Sequence, residues 1–132
     1  CVYFLPINPR TKEIFIVHHK KSGLWLSPGG HLDKDETPEQ AVNREITEEL
    51  GVHDFFTQPP NPFFFSMSTI ENEKQTCKTH HDLWYPMQTD GSAFQIDTAE
   101  FHTTKWMTVS EAKGLVTDPS NLQTLERTQN IF

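Results

Sequence analysis

Hydrophobic residues gather in short runs that are separated by polar turn residues along the first 30 positions. The runs CVYFL (1–5) and EIFIVHH (13–19) are rich in β-branched and aromatic residues, which pack well on a pleated sheet. The segment between them, PINPRTK, holds two prolines, so the pattern predicts a β-hairpin. GLWLSPGG (23–30) predicts a short strand that ends in a Pro-Gly-Gly turn.

The next segment changes to a helical pattern, which predicts a helix from about Pro38 to Leu50. Thr37 is a suitable N-cap, Pro38 takes the first helical position, and Gln40 completes a capping box with Thr37. Gly51 follows as a C-terminal stop. At about 100° per residue, one stripe of this helix is apolar: Val42, Ile46 and Leu50. We expect this stripe to pack on a sheet.

Further apolar runs predict strands in the second half of the chain: FFFSMS (63–68), HHDLWYPM (80–87) and FHTTKWMTV (101–109). Ser110 and Asp118-Pro119 favour the starts of two more helices. Strands and helices are mixed without a regular βαβ alternation. The sequence therefore predicts a fold of the α/β (α+β-like) class, with a mixed sheet and helices packed on its faces.

Composition narrows the classes of function. A chain of 132 residues predicts one domain, and a net charge of −7 argues against a surface for polymeric nucleic acid. No apolar run approaches about 18 residues, so no membrane span is expected. The two cysteines, Cys1 and Cys77, predict free thiols in a reducing cytoplasm. Because the first residue is not methionine, an upstream segment stays an open alternative.

Three glutamates of the predicted helix lie in the sector beside its apolar stripe: Glu45, Glu48 and Glu49. Like charges at this spacing repel by roughly a few tenths of a kcal/mol per pair. Partial desolvation at the edge of the buried face strengthens that repulsion. Clustered carboxylate oxygens suit Mg²⁺ or Mn²⁺, so a bound divalent cation is one remedy. A merely acidic, solvated helix face is the alternative.

A longer pattern surrounds these glutamates, GHLDKDETPEQAVNREITEELGV (30–52). It consists of Gly30, five residues, Glu36, seven residues, and then Arg44-Glu45-Ile46-x-Glu48-Glu49-x-Gly51-Val52. At every fixed position the pattern resembles the Nudix box of the MutT-type pyrophosphohydrolases. The resemblance implies a single Nudix domain over residues 1–132, folded as an α/β/α sandwich around a mixed β-sheet.

The resemblance also implies roles for individual residues. It implies four metal-binding groups: the carboxylates of Glu45, Glu48 and Glu49 and the backbone carbonyl of Gly29. Arg44 and Glu36 match a pair that positions the glutamates, and a bare surface salt bridge is the alternative. Glu100 loosely matches a later glutamate that some members use as ligand or base; otherwise it is a loop carboxylate. The proton acceptor is left open among Glu48, Glu49 and Glu100.

Four residues are candidates for substrate binding: His31, Trp25, Phe64 and Trp84. The three aromatic rings could stack on a nucleobase, with core packing as the alternative. His31, directly after the Gly-Gly turn, could touch a phosphate or serve a structural role.

The resemblance implies a hydrolase that depends on Mg²⁺ (or Mn²⁺). Its substrate would be a nucleoside diphosphate linked to another moiety, or a (d)NTP, and water activated by the metal would break the diphosphate bond. A non-catalytic nucleotide-binding or regulatory Nudix domain is the main alternative. An isoprenoid diphosphate isomerase is a third, although the cysteine context of that enzyme is not recognisable around Cys77. The expected partner is a small-molecule nucleotide derivative, and family members also pair as homodimers.

Overall fold

Strands and helices follow one another in mixed order in the computed structural model, which describes residues 1–69 and 79–131. The strands are β1 (Val2–Asn8), β2 (Glu13–His19), β3 (Trp25–Leu26), β4 (Gly29–Gly30), β5 (Phe64–Thr69), β6 (Thr79–Gln88) and β7 (Phe101–Thr108). The helices are α1 (Pro38–Leu50), α2 (Val109–Leu115) and α3 (Pro119–Thr128). The sulfur of Cys1 lies 3.1 Å from Nδ1 of His31, and Cys77 lies outside the described residues, so the expectation of two free thiols stays a prediction.

The described strands join in one mixed sheet with β1 at its centre. β1 pairs in antiparallel fashion with β2, as the predicted hairpin requires, and in parallel with β6 over six residue pairs from Val2↔Leu83 to Ile7↔Gln88. The order continues outward as β3-β2-β1-β6-β5, while β7 also pairs with β2 and β4 pairs with the start of β1. The strands from the second half of the chain therefore pair with both strands of the N-terminal hairpin, β6 with β1 and β7 with β2.

The helices cover both faces of the sheet, and a separate hydrophobic core fills each interface. Successive side chains of a strand point to opposite faces, so β1 and β2 contribute to both cores. One core lies under α1: Val2, Phe4, Phe15, Val17, Ala41, Val42, Ile46, Leu50, Tyr85, Met87 and Phe101. The other lies under α2 and α3: Leu5, Ile7, Ile14, Ile16, Met107, Val109, Ala112, Val116 and Leu125. The predicted α/β/α arrangement around a mixed sheet is confirmed.

Local capping chemistry sets the helix boundaries. α1 begins and ends as predicted, with the Thr37 hydroxyl accepting from the Gln40 amide at 3.2 Å and Gly51 in the left-handed region at φ 68°. The predicted start of α2 at Ser110 is wrong by one residue. Thr108 is the cap, because its hydroxyl accepts from the amide of Glu111 at 3.2 Å, and this bond ends β7 before Val109.

Within the described ranges, none of the helices is both long enough and apolar enough to cross a membrane.

Candidate active site

Helix α1 places its three glutamates at different depths. The stripe of Val42, Ile46 and Leu50 is fully buried against the sheet, as predicted. Glu45 and Glu49 are only 8% and 4% exposed, whereas the side chain of Glu48 is 58% exposed. We expected all three to lie at the edge of the buried face. Glu45 and Glu49 instead lie within the buried face, and only the more exposed Glu48 lies outside it.

A hydrogen-bond network around Arg44 ties the helix to the loop before it. Nε and Nη2 of Arg44 donate to the two carboxylate oxygens of Glu36 at 2.8 and 2.9 Å. Nη1 donates to Glu45 at 2.9 Å and to Glu48 at 3.2 Å, and Nη2 also donates to the backbone carbonyl of His31 at 2.9 Å. One guanidinium thus holds three glutamates of the motif and the backbone of His31 in the segment before α1.

Arg44 and Glu36 stabilise each other's charged forms. The hydrogen bond from Arg44 lowers the pKa of the Glu36 carboxyl, and the Asp33 amide adds a hydrogen bond to the same carboxylate at 2.9 Å. Glu36 and Arg44 side chains are only 12% and 24% exposed. A bidentate, largely buried pair of this kind orders its surroundings more than a bare surface salt bridge does.

Glu49 is a buried carboxyl that lies near a second buried carboxyl, Glu45, and the exposed Glu100. Burial, followed by the charges of Glu45 and Glu100, raises the pKa of Glu49 to about 10. Burial also raises the pKa of Glu45. Among the described residues, no group forms a hydrogen bond with Oε2 of Glu49.

This orphaned oxygen and the hard donor set fit a divalent cation, which prefers carboxylate oxygens and would relieve the repulsion between the acids. Across residues 1–69 and 79–131, no three His, Cys, Asp or Glu side chains already surround a common metal position. In this arrangement, Glu45 and Glu48 are engaged by Arg44. Each of these two hydrogen bonds engages one oxygen of its carboxylate, so Arg44 leaves the second oxygen of Glu45 and of Glu48 able to bind a cation.

The two glycines before the motif bring backbone close to this acidic group. A methyl group built on Gly30 would lie 2.7 Å from the carboxyl carbon of Glu45. A methyl group on Gly29 would instead lie 2.7 Å from the backbone Cα of Tyr3. Both glycines line the same cavity as Glu45, Glu48 and Glu49. The carbonyl of Gly29 therefore lies near the expected metal site, and metal binding by this carbonyl stays a prediction.

A cavity of about 490 Å³ lies beside the glutamates. It brings together most of the residues predicted to form the site: Gly29, His31, Glu45, Glu48, Glu49 and Glu100. His31 contacts Cys1 there, with 3.1 Å between Nδ1 and Sγ.

Sequence reasoning missed several residues of the cavity: Tyr3, His19, Lys20, Lys21 and Ser27. Three of them belong to HHKK (18–21) at the end of β2. A basic run at a strand end, close in sequence to an acidic motif, was the available signal. Burial, together with the charges of Asp82, Asp118 and Glu49, raises the pKa of the Tyr3 hydroxyl, so Tyr3 is a neutral member of the lining.

The three predicted aromatic contacts lie elsewhere. Trp84 is fully buried, stacks on Tyr3 with 4.4 Å between ring centroids, and donates from Nε1 to the Ser66 hydroxyl at 3.0 Å. The guanidinium of Arg127 lies 4.6 Å above the ring of Phe64. Trp25 stacks on His18 and packs against the core under α2 and α3. This placement supports the packing alternative for all three rings, and substrate binding by them stays a prediction.

Comparison with known proteins adds independent evidence. A family model described as NUDIX domain matches residues 1–127. The chain is 36% identical over 77 residues to 8-oxo-dGTP diphosphatase of Proteus vulgaris, an alignment that covers 46% of this chain and 69% of that protein. It is 40% identical over 55 residues to RNA pyrophosphohydrolase of Helicobacter pylori (strain G27), covering 41% of this chain and 36% of that protein. The chain thus spans only about a third of the second relative.

Solved structures show the same architecture. The E. coli dihydroneopterin triphosphate pyrophosphohydrolase superposes with a TM-score of 0.80 over 96% of this chain and 91% of that chain. The sequences are 20% identical, so this likeness shows the fold alone.

Proposed function

The chain belongs to the NUDIX domain family, and from this premise we propose that it is a hydrolase that uses Mg²⁺ or Mn²⁺ to break the diphosphate bond of a small nucleotide. The substrate class is a nucleoside diphosphate linked to another moiety, including a (d)NTP. One observation carries the proposal: the buried carboxyls of Glu45 and Glu49 and the exposed Glu100 line one cavity that lysines also line.

Charge explains why the substrate would bring a cation with it. The protein has a net charge of −7, and a diphosphate adds further negative charge beside the glutamates. Glu45, Glu48 and Glu49, with the carbonyl of Gly29, would hold the metal. Lys21 lines the same cavity and would attract the phosphates directly.

The residues of the chain would divide the reaction between positioning and proton transfer. When bound, the divalent cation would neutralise phosphate oxygens and lower the pKa of a water molecule. Arg44 orients Glu45 and Glu48 through its two hydrogen bonds from Nη1. As the water oxygen attacks phosphorus and the bridging P–O bond breaks, a carboxylate accepts the proton of the water. We propose Glu48 or Glu49 for this role, with Glu100 as the alternative.

A substrate panel with matched variants tests the proposal. The panel contains 8-oxo-dGTP, dGTP, dihydroneopterin triphosphate, a nucleoside diphosphate sugar and RNA with a 5′-triphosphate, each assayed for release of phosphate products with Mg²⁺ and with chelator. We expect turnover that requires metal in the wild type and is lost in Glu48→Gln. Glu126→Gln is the control, because Glu126 is an exposed glutamate of α3 paired with Lys113, and it should retain wild-type activity.

The opposite result has a clear meaning. Binding of a nucleotide without turnover at any metal concentration would refute hydrolysis and favour the non-catalytic binding domain. Turnover that survives in Glu48→Gln at the wild-type rate would remove Glu48 from the reaction and leave Glu49 or Glu100 as proton acceptor.

A further inference from the structure

We infer that Lys20 is a positioning residue that fixes Glu100 beside Glu49. This inference rests on the proposed function of the same site. Nothing in the Nudix motif assigns a role to Lys20, which follows β2 and precedes the turn into β3.

Lys20 holds the segment before β7 through two hydrogen bonds. Its backbone amide donates to the carbonyl of Glu100 at 2.9 Å, and its ammonium group donates to the carbonyl of Thr98 at 3.1 Å. The pairing of β2 with β7 shifts register between His18 and His19, directly before Lys20. A register shift of this kind changes the direction of the side chains that follow it. Lys20, which makes both hydrogen bonds, comes directly after this shift.

The other end of the same segment is attached to helix α1. The amide of Gln95 donates to the carbonyl of Leu50 at 2.7 Å, and the amide of Asp97 donates to the carbonyl of Glu49 at 3.0 Å. Within the segment, the Asp97 carboxylate accepts from the amide of Ala99 at 2.9 Å. Residues 95–100 therefore form a bridge from the helix that carries Glu49 to Lys20.

The bridge needs its second attachment because its end is exposed to solvent and packs against little else. Thr98, Ala99 and Glu100 are exposed, and Glu100 lines the same cavity as Glu49. The ammonium of Lys20 holds this exposed end by its hydrogen bond to the carbonyl of Thr98, two residues before Glu100.

Lys20 and Lys21 thus have different roles, although both line the cavity. In the described part of the chain, Lys21 makes no hydrogen bond to residues 95–100. Lys21 is placed to meet the substrate, whereas Lys20 acts through Glu100.

The test combines kinetics with hydrogen exchange in Lys20→Met. We expect kcat to fall about fivefold with KM within twofold of wild type, a loss typical of one charge-assisted hydrogen bond. In the background of Glu100→Gln, Lys20→Met should cause no further loss, because the group that Lys20 positions is already disabled. Lys20→Arg should restore kcat, since its guanidinium can also donate to Thr98. Lys105→Met, which removes an exposed charge from β7, is the control and should retain wild-type kinetics.

Hydrogen exchange provides a readout without metal or turnover. In the metal-free protein, the amides of Asp97 and Ala99 should exchange about tenfold faster in Lys20→Met than in wild type or Lys105→Met, because the bridge opens more often. A rise in KM with unchanged kcat, equal losses with and without Glu100→Gln, or unchanged exchange would each overturn the inference. If the wild type hydrolyses nothing, the proposed function fails, and the exchange rates alone still decide whether Lys20 holds the bridge.

Discussion

Replacing Gly30 with alanine should damage the active site while leaving the fold intact. Gly30 lies in β4, and its Cα faces the carboxylate of Glu45 with no space for a side chain. The new methyl group would lie 2.7 Å from Cδ and 3.0 Å from Oε2 of Glu45. It meets the end of a side chain and not a backbone, so the strain is relieved by moving Glu45.

The size of that movement sets the expected effect. To reach an ordinary separation of about 3.4 Å, the carboxyl carbon of Glu45 must retreat by roughly 0.7 Å. This shift disturbs the 2.9 Å bond from Nη1 of Arg44 and the contact with Glu49. Misplacement of a catalytic group by about 1 Å can cost about 100-fold in rate, so we expect kcat/KM to fall roughly 10- to 100-fold, or about 1.4–2.8 kcal/mol.

Two other glycines provide matched controls. Gly114→Ala adds the same methyl group to α2, where nothing lies within 4 Å, and should retain activity with stability unchanged or higher by about 0.5–1 kcal/mol. Gly29→Ala would meet the backbone of Val2 and Tyr3 and should impair folding itself. Steady-state kinetics on the best substrate of the panel and urea denaturation of each variant separate these outcomes.

Wild-type kcat/KM in a folded Gly30→Ala protein would refute the reasoning, because Glu45 would then tolerate displacement without consequence. A loss of stability as large as that of Gly29→Ala would also refute it, since the cost would lie in the backbone and not in the carboxylate.

The buried acids and the aromatic core give three further predictions. The pKa of Glu49 is raised to about 10 in the folded protein, so its contribution to stability is complete below the ordinary value of 4.5 and is lost as pH rises. Metal-free wild type should therefore lose stability relative to Glu49→Gln between about pH 5 and 9 in urea denaturation, and parallel curves would contradict the assignment. The pKa of Glu36 is lowered, so the stability that Glu36 contributes is present above about pH 4.5 and is lost in acid. The difference in unfolding free energy between wild type and Glu36→Gln should therefore shrink as pH falls below about 4.5, and urea denaturation over a series of acidic pH values measures it. Trp84→Phe should lower the free energy of unfolding by about 1–3 kcal/mol, because the buried Ser66 hydroxyl loses its hydrogen bond, and KM should not change. A raised KM with wild-type stability would instead indicate that Trp84 contacts the substrate.

The parts of the site that depend on neighbouring positions in the chain could be predicted from sequence. Thr37, Gln40 and Gly51 set the ends of α1 through local hydrogen bonds, so both boundaries were correct. The helical period then placed the glutamates beside the apolar stripe. Their spacing identified the family, which the match over residues 1–127 confirms.

The remaining features depend on contacts between distant segments, which periodicity does not encode. The parallel pairing of β1 with β6 joins positions about 80 residues apart, and no local pattern specifies it. Lys20 gains its place only when residues 95–100 fold back onto α1. Aromatic residues are expected both in the wall of a ligand pocket and in a hydrophobic core. For Trp25, Phe64 and Trp84, only the side of the sheet on which each ring lies distinguishes these two roles.

The central position of β1 has a consequence for the order in which the chain folds. During synthesis, β1, β2 and the whole of α1 are complete by Leu50, but the parallel partner of β1 begins only at Thr79. Contacts of such long sequence separation form slowly, because the intervening loop must close first. Until then the glutamates of α1 remain hydrated on the nascent chain and repel one another little. The segment that carries Glu100 comes later still, so the acidic cluster is assembled only after most of the sheet exists to support it.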